Sequence, residues 1–217
     1  MSIRIKYDRK IKEVFEKAVA MCRNIELAIE NSIEALNELD VLKAKEVIKN
    51  DKLIDDLEHE IEGDCLNLLL MENPVATDFR EISSTLKMIT DLERIGDQAA
   101  DISSIVLEIQ KNNERIPLHD ITILSKLAIN MVKNGVSSYI NRDVNLARLL
   151  DKYDDEIDEL FEKIKKESVE LLKTERANPD EVILTLMIAK YLERIADHAV
   201  NIGEWAEYAI TCVHKKG

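Results

Sequence analysis

Little in this chain interrupts a helix. Its 217 residues include five Gly and three Pro, and aromatics make up only 4%. With helix formers dominating the remainder, the composition points to an all-α protein. Cysteine is equally sparse: Cys22, Cys65 and Cys212 are odd in number, far apart and without a Cys-x-x-Cys spacing. That excludes a zinc-ribbon or dithiol site and fits small core residues in a reducing compartment. No long apolar run exists. The nearest is Val182-Ile-Leu184 with Leu186-Met-Ile-Ala189 beyond Thr185, far short of the roughly 20 residues that span a bilayer. The basic start, Met1-Ser-Ile-Arg-Ile-Lys-Tyr-Asp-Arg-Lys10, lacks the apolar stretch of a secretory signal. A soluble, cytoplasmic protein is expected. Positive charge is short as well, with 30 Lys and Arg against 43 Asp and Glu and a net charge of −13. A phosphate backbone needs clustered cations, so nucleic acid is excluded as a partner, and an anionic membrane is disfavoured. A basic protein surface or a metal cation suits this charge better.

Catalytic patterns are also missing. The sequence carries no nucleophile triad order, no phosphate-binding Gly loop and no zinc signature. Asp56-x-x-His59 is the nearest approach to the Glu-x-x-His of di-iron bundles, and the second half of the chain has no counterpart. The expectation is a protein that is not an enzyme.

What the chain does have is a repeat. Leu92-Glu-Arg-Ile-Gly-Asp97 returns as Leu192-Glu-Arg-Ile-Ala-Asp197. Around the two copies, Leu92, Ile95, Ala99, Ile102 and Val106 match Leu192, Ile195, Ala199, Ile202 and Ala206, spaced as one face of an amphipathic helix. Glu93 and Asp97 lie about 40° apart on that helix and point away from Ile95. A solvated face is the ordinary explanation for one such pair. Two copies of the same Glu-x-x-x-Asp weaken it.

The repeat extends over the whole chain. Asn73-Pro74 and Asn178-Pro179 read as turns, because the residue before Pro is pushed out of the helical region. Lys111-Asn-Asn-Glu-Arg-Ile-Pro117 is the most polar interruption, and it divides the chain into residues 1–113 and 114–217. In the first half, a helix from about Lys10 to Leu39 carries Phe15, Val19, Cys22, Ile25, Ile29, Ile33 and Leu36 on its apolar face. Asp40 caps a second helix from Val41 to about Met71, and a third runs from about Asp78 to Lys111. Asp40, Ile54, Leu57 and Ile61 are answered by Asp143, Ile157, Leu160 and Ile164. The expected architecture is therefore two similar three-helix bundles from an internal duplication.

Carboxylates four apart on a helix can share a hard cation such as Mg²⁺, Mn²⁺ or iron. The candidate ligands are Glu93, Asp97, Glu193 and Asp197, together with Asp51, Asp55, Asp154 and Asp158 at equivalent places on the second and fifth helices. In an antiparallel pair, residues equally far from the turn share a level. Asp51/Asp55 and Glu93/Asp97 are equidistant from Pro74, and Asp154/Asp158 and Glu193/Asp197 are equidistant from the turn at Lys173–Asn178. One acidic site per bundle is expected. The outward direction of the hexapeptide carboxylates argues against an enclosed catalytic metal pocket. Arg80, Arg94 and Arg194 are candidates for binding an anion or partner, with a salt bridge to a neighbouring helix as the structural alternative. Trp205 and Tyr208 read as packing residues.

Pro74-Val-Ala-Thr-Asp78-Phe-Arg80 and the two hexapeptides, the second continuing as His198-Ala-Val-Asn-Ile-Gly-Glu204, resemble the PhoU family of phosphate-transport regulators. The resemblance runs from the first helix to about Tyr208. The first copy departs from the pattern, with Gln98 in place of His and Asp101 in place of Asn. The resemblance implies two bundles related by pseudo-twofold symmetry and metal ions (iron, manganese, magnesium or zinc) on the carboxylate motifs. It also implies a cytoplasmic, homodimeric negative regulator of phosphate uptake. Its partners would be the ATPase subunit of a phosphate ABC transporter and a phosphate-sensing histidine kinase. A carboxylate-bridged metalloenzyme and a metal-free helical adaptor or co-chaperone are the rival expectations.

Overall fold

A computed structural model describes residues 3–71, 74–112, 119–173 and 178–213. They form six helices: α1 (Ile3–Glu38), α2 (Val41–Met71), α3 (Ala76–Asn112), α4 (His119–Ile140), α5 (Val144–Leu172) and α6 (Pro179–Thr211). The proposed division at 113/114 falls within residues 113–118, outside the described residues.

Equivalent local chemistry ends and restarts the helices in the two halves. Leu39 and Arg142 adopt left-handed backbone, with φ of 52° and 54°, which stops α1 and α4. The next residue in each case is an aspartate that caps the following helix. Asp40 Oδ1 accepts from the amides of Leu42 and Lys43 at 2.9 and 3.1 Å, and Asp143 Oδ1 accepts from Leu146 at 3.0 Å. These bonds satisfy amides that have no partner within the helix. α6 opens with Pro179 at its first position, and the Asn178 side chain accepts from the Asp180 amide at 3.1 Å. At the start of α3, Asp78 reaches back to the Val75 amide at 3.2 Å.

Each of α1, α2 and α3 packs on the other two, and α4, α5 and α6 do the same. α3 meets α6 and α1 meets α4 across the middle, which leaves α2 and α5 outermost. Exchanging the first three helices for the last three leaves this pattern unchanged, as a pseudo-twofold relation requires. One hydrophobic core runs through both halves. Leu92, Ile95, Ala99, Ile102 and Val106 are fully buried, and so are their counterparts Leu192, Ile195, Ala199, Ile202 and Ala206. Removing each large aliphatic side chain from water contributes about 1.5–3 kcal/mol.

α1 departs from its expected course in two ways. It begins near Ile3 rather than Lys10, and Tyr7, 3% exposed, belongs to the core. Its buried stripe also runs through Val14, Ala18 and Met21, while Phe15 and Val19 lie beside it, partly exposed. Phe15 stacks edge-on against Tyr139 of α4 at 5.9 Å. α1 touches α2, α3 and α4, so its apolar face is wider than a single seam and turns along its length.

Candidate metal centre

α2 and α3 run antiparallel, and their carboxylates meet at one level. Oxygens of Asp51, Asp55 and Asp97 lie within 4.8 Å of one another. Metal–oxygen bonds of about 2.0–2.5 Å place ligands on opposite sides of an ion about 4–5 Å apart. One ion can therefore bridge the three. Gly96 permits this approach: a Cβ there would stand 2.9 Å from Ile54 Cδ1 and 3.1 Å from Asp51 Oδ1.

Glu93 is outside this triple, but Asp97, Asp55 and Glu58 all act on its charge. Asp51 shows the strain of the arrangement most clearly. Burial, followed by the charges of Asp55, Asp97, Glu93 and Asp101, pushes its carboxyl up to about 6. Burial and Asp97 raise Asp101 as well. A divalent cation would relieve all of these repulsions.

In the second repeat Asp154, Asp158, Asp197 and Glu193 lie close enough to act on one another, but among the described residues only Asp51, Asp55 and Asp97 bring their oxygens within 4.8 Å. Burial raises the Asp154 carboxyl to about 7, with Asp158, Asp197, Glu193 and Asp155 adding to the effect. Asp154 Oδ1 is buried without a hydrogen-bond partner, an acceptor that an ion would satisfy. Asp197 sits at the rim. It is also raised, first by lost water and then by Asp158, while Lys190, His198 and Arg194 oppose the shift. The two donor sets fit a hard cation, since every candidate ligand is a carboxylate.

Two expectations from the sequence need correcting. The hexapeptide carboxylates do not simply face outward, because Glu193 is only 8% exposed. α6 packs against α3, α4 and α5, so little of its circumference remains open. Arg94 does not bridge to a neighbouring helix either. It lies along α3, with Nη1 donating to Asp97 at 3.1 Å and Nε 3.4 Å from Glu93. Arg194 is exposed and close enough to Asp101 of α3 to oppose the rise in its pKa. Arg80 is half-buried, with no hydrogen-bond partner for Nε among the described residues. Trp205 and Tyr208 pair edge-on at 6.2 Å.

The seam between α3 and α6 explains the departure at Asp101, whereas Gln98 Oε1 is buried without a hydrogen-bond partner among the described residues. In one direction, Asp91 Oδ1 bonds His198 Nδ1 at 2.9 Å and accepts from Asn201 Nδ2 at 3.1 Å. In the other, Tyr191 stands in the place of Asp91 and bonds Asp101. The two halves of the seam use different partners. His198 and Asn201 thus hold the repeats together, a role their spacing did not reveal. Reading positions 91 and 191 against 201 and 101 would have exposed it.

Comparison with known proteins places this geometry. The PhoU domain matches residues 18–106 and again residues 121–206. The chain is 31% identical over 206 residues to the phosphate-specific transport system accessory protein PhoU homolog of Clostridium acetobutylicum, covering 94% of each chain. It is 33% identical over 190 residues to that of Aquifex aeolicus, covering 88% of this chain and 86% of the relative. Its fold matches the crystal structure of PhoU from Pseudomonas aeruginosa with a TM-score of 0.92 at 25% identity, over 95% of this chain and all of the other. The phosphate transport system regulatory protein PhoU from Streptococcus pneumoniae superposes with a TM-score of 0.90, over 97% of this chain and 99% of the other.

Proposed function

Since the chain belongs to the PhoU family, we propose that it regulates phosphate uptake and phosphate-starvation signalling through protein contacts. In this reading it is a cytoplasmic negative regulator that acts as a homodimer. It touches the ATPase subunit of the phosphate ABC transporter and a phosphate-sensing histidine kinase. Divalent or iron ions sit on the acidic sites, held by Asp51, Asp55 and Asp97 in the first repeat and by Asp154, Asp158, Glu193 and Asp197 in the second. The all-oxygen donor set suits iron, manganese or magnesium better than zinc, which prefers nitrogen and sulfur. Bound ions supply positive charge, turning a repulsive acidic groove into a surface able to accept anionic groups of a partner.

One observation supports this reading: in the first repeat carboxylates of α2 and α3 come within reach of a single ion, and in the second Asp154 lies among the charges of Asp158, Asp197 and Glu193. Among the described residues no helix is long and apolar enough to cross a membrane, so contact with a transporter would come through a subunit exposed to solvent. The test is a pull-down of tagged protein from its native host, grown with ample and with scarce phosphate. Recovery of the transporter's ATPase subunit, weaker at high salt because exposed charges are screened beyond about 8–10 Å, supports the reading. Equal recovery from an untagged control refutes it. Metal analysis of protein purified without chelators separates this regulator from a metal-free adaptor.

A further inference from the structure

The two acidic sites differ where the duplication would make them alike. Thr90 of the first repeat is answered by Lys190, Glu58 by Phe161, Glu62 by Lys165 and Asp101 by Asn201. Although Lys52, answered by Asp155 beside Asp154, runs the other way, each of these four exchanges makes the second repeat more positive or less negative. The structure shows where that charge goes. The Lys190 ammonium donates to Glu193 Oε2 and lies 5.3 Å from the centre of the Phe161 ring. Lys165 approaches the same ring at 5.9 Å. An aromatic face attracts a cation, so Phe161 holds the ammonium where its counterpart Glu58 leaves a further negative charge.

Glu193 is the most enclosed acid of this set, with its side chain 11% exposed. In the first repeat the Thr90 hydroxyl donates to the Leu86 carbonyl at 3.1 Å and brings no charge. Glu93 there has a side chain 25% exposed; burial and then Asp97 raise its pKa, Arg94 opposes them, and Asp55 and Glu58 add to the rise. The first site also has a cation beside it, since Arg94 donates to Asp97 at 3.1 Å and lies 3.4 Å from Glu93, but these carboxylates are 35% and 25% exposed and the contact is open to water. An exposed ion pair contributes little, but Lys190 meets a nearly buried carboxylate, where a competing cation must replace a desolvated contact.

Building on the metal reading above, we propose that the two sites are unequal: the first repeat takes a divalent ion at Asp51, Asp55 and Asp97, whereas Lys190, braced on Phe161, is the resident cation of the second. An ion enters the second site only by displacing this ammonium from Glu193. Asp154 Oδ1, buried without a partner, is the oxygen left over for such an ion.

The test is a Mn²⁺ titration of the full chain after EDTA treatment, followed by calorimetry and by the electron paramagnetic resonance of free Mn²⁺. The wild-type protein should bind one ion tightly and a second at least tenfold more weakly. Lys190→Thr, which installs the first-repeat residue at a half-exposed position, should tighten the weak class at least tenfold and leave the tight class in place. Asp97→Asn should abolish the tight class alone. Lys190→Gln, which keeps the stem of the side chain, gives the same comparison should Lys190→Thr melt early. Two equal classes in the wild type, or a weak class unmoved by either Lys190 variant, would overturn the proposal while leaving the metal reading intact. A chain that binds no Mn²⁺ at all would overturn both.

Discussion

Replacing Asp154 by Asn should stabilise the metal-free protein, and the gain should depend on pH in a defined direction. Burial and four neighbouring carboxylates push the Asp154 carboxyl from 3.8 up to about 7. The folded chain therefore holds this proton more tightly than the unfolded chain does. Stability contributed by the protonated form is fully present below about pH 4 and is lost as pH rises through about 7. A rise from 3.8 to about 7 corresponds to roughly 4 kcal/mol at about 1.4 kcal/mol per pH unit. Asp154 keeps part of its contact with water, and screening there reduces the figure to about 1–2 kcal/mol. For a chain of this size that is a gain of about 2–8 °C in Tm. The assay is thermal unfolding of EDTA-treated wild type and Asp154→Asn between pH 4 and pH 8. The difference between them should be near zero at the acidic end, grow through pH 5–7 and level off above about pH 7.5. An equal difference at every pH, or a variant less stable at pH 7.5, would show that Asp154 is not held against its neighbours as the structure places it.

Other outcomes follow from the packing. Ile95→Ala and Ile195→Ala, each at a fully buried position, should each cost about 2–5 kcal/mol in urea unfolding; a cost below 1 kcal/mol would remove them from the core. Gly203→Ala should cost about 1–3 kcal/mol in the same assay, because a Cβ there would stand 2.4 Å from Leu150 Cδ1 and 3.3 Å from the Ala147 carbonyl. In the native protein only Cys212, which is exposed, should react promptly with Ellman's reagent. Cys22 and Cys65 should react only after denaturation, since burial pushes both thiols up to about 12 and the thiolate is the reactive form.

Much of this architecture was legible in the residues. Asp40 and Asp143 announced the starts of α2 and α5, and both side chains make the capping bonds. The levels of the carboxylate pairs could be counted from the turns, because helix rise is constant, and Asp51, Asp55 and Asp97 do meet. Azimuth was harder to read. Which face of α6 is covered depends on three neighbouring helices, so the burial of Glu193 could not be read from its own helix alone. The same limit hid the bond from His198 to Asp91, whose partners stand 107 residues apart. Aligning the halves revealed what they share, whereas the unlike pairs Thr90/Lys190 and Glu58/Phe161 carried the difference between the sites. The start of α1 is hidden for a similar reason, since Tyr7 lies ahead of the clear apolar period yet joins the core.

If the protein restrains phosphate uptake as proposed, its acidic sites should be part of how it does so. The most direct measurement is the rate of radiolabelled phosphate uptake, in phosphate-rich medium, by the native host with the gene deleted. The deletion strain should be complemented with wild type or with a variant carrying Asp51→Asn, Asp55→Asn and Asp97→Asn. Deletion should raise uptake, wild type should restore restraint, and the folded triple variant should fail to do so. Uptake unchanged by deletion, or restored equally by both proteins, would contradict the account.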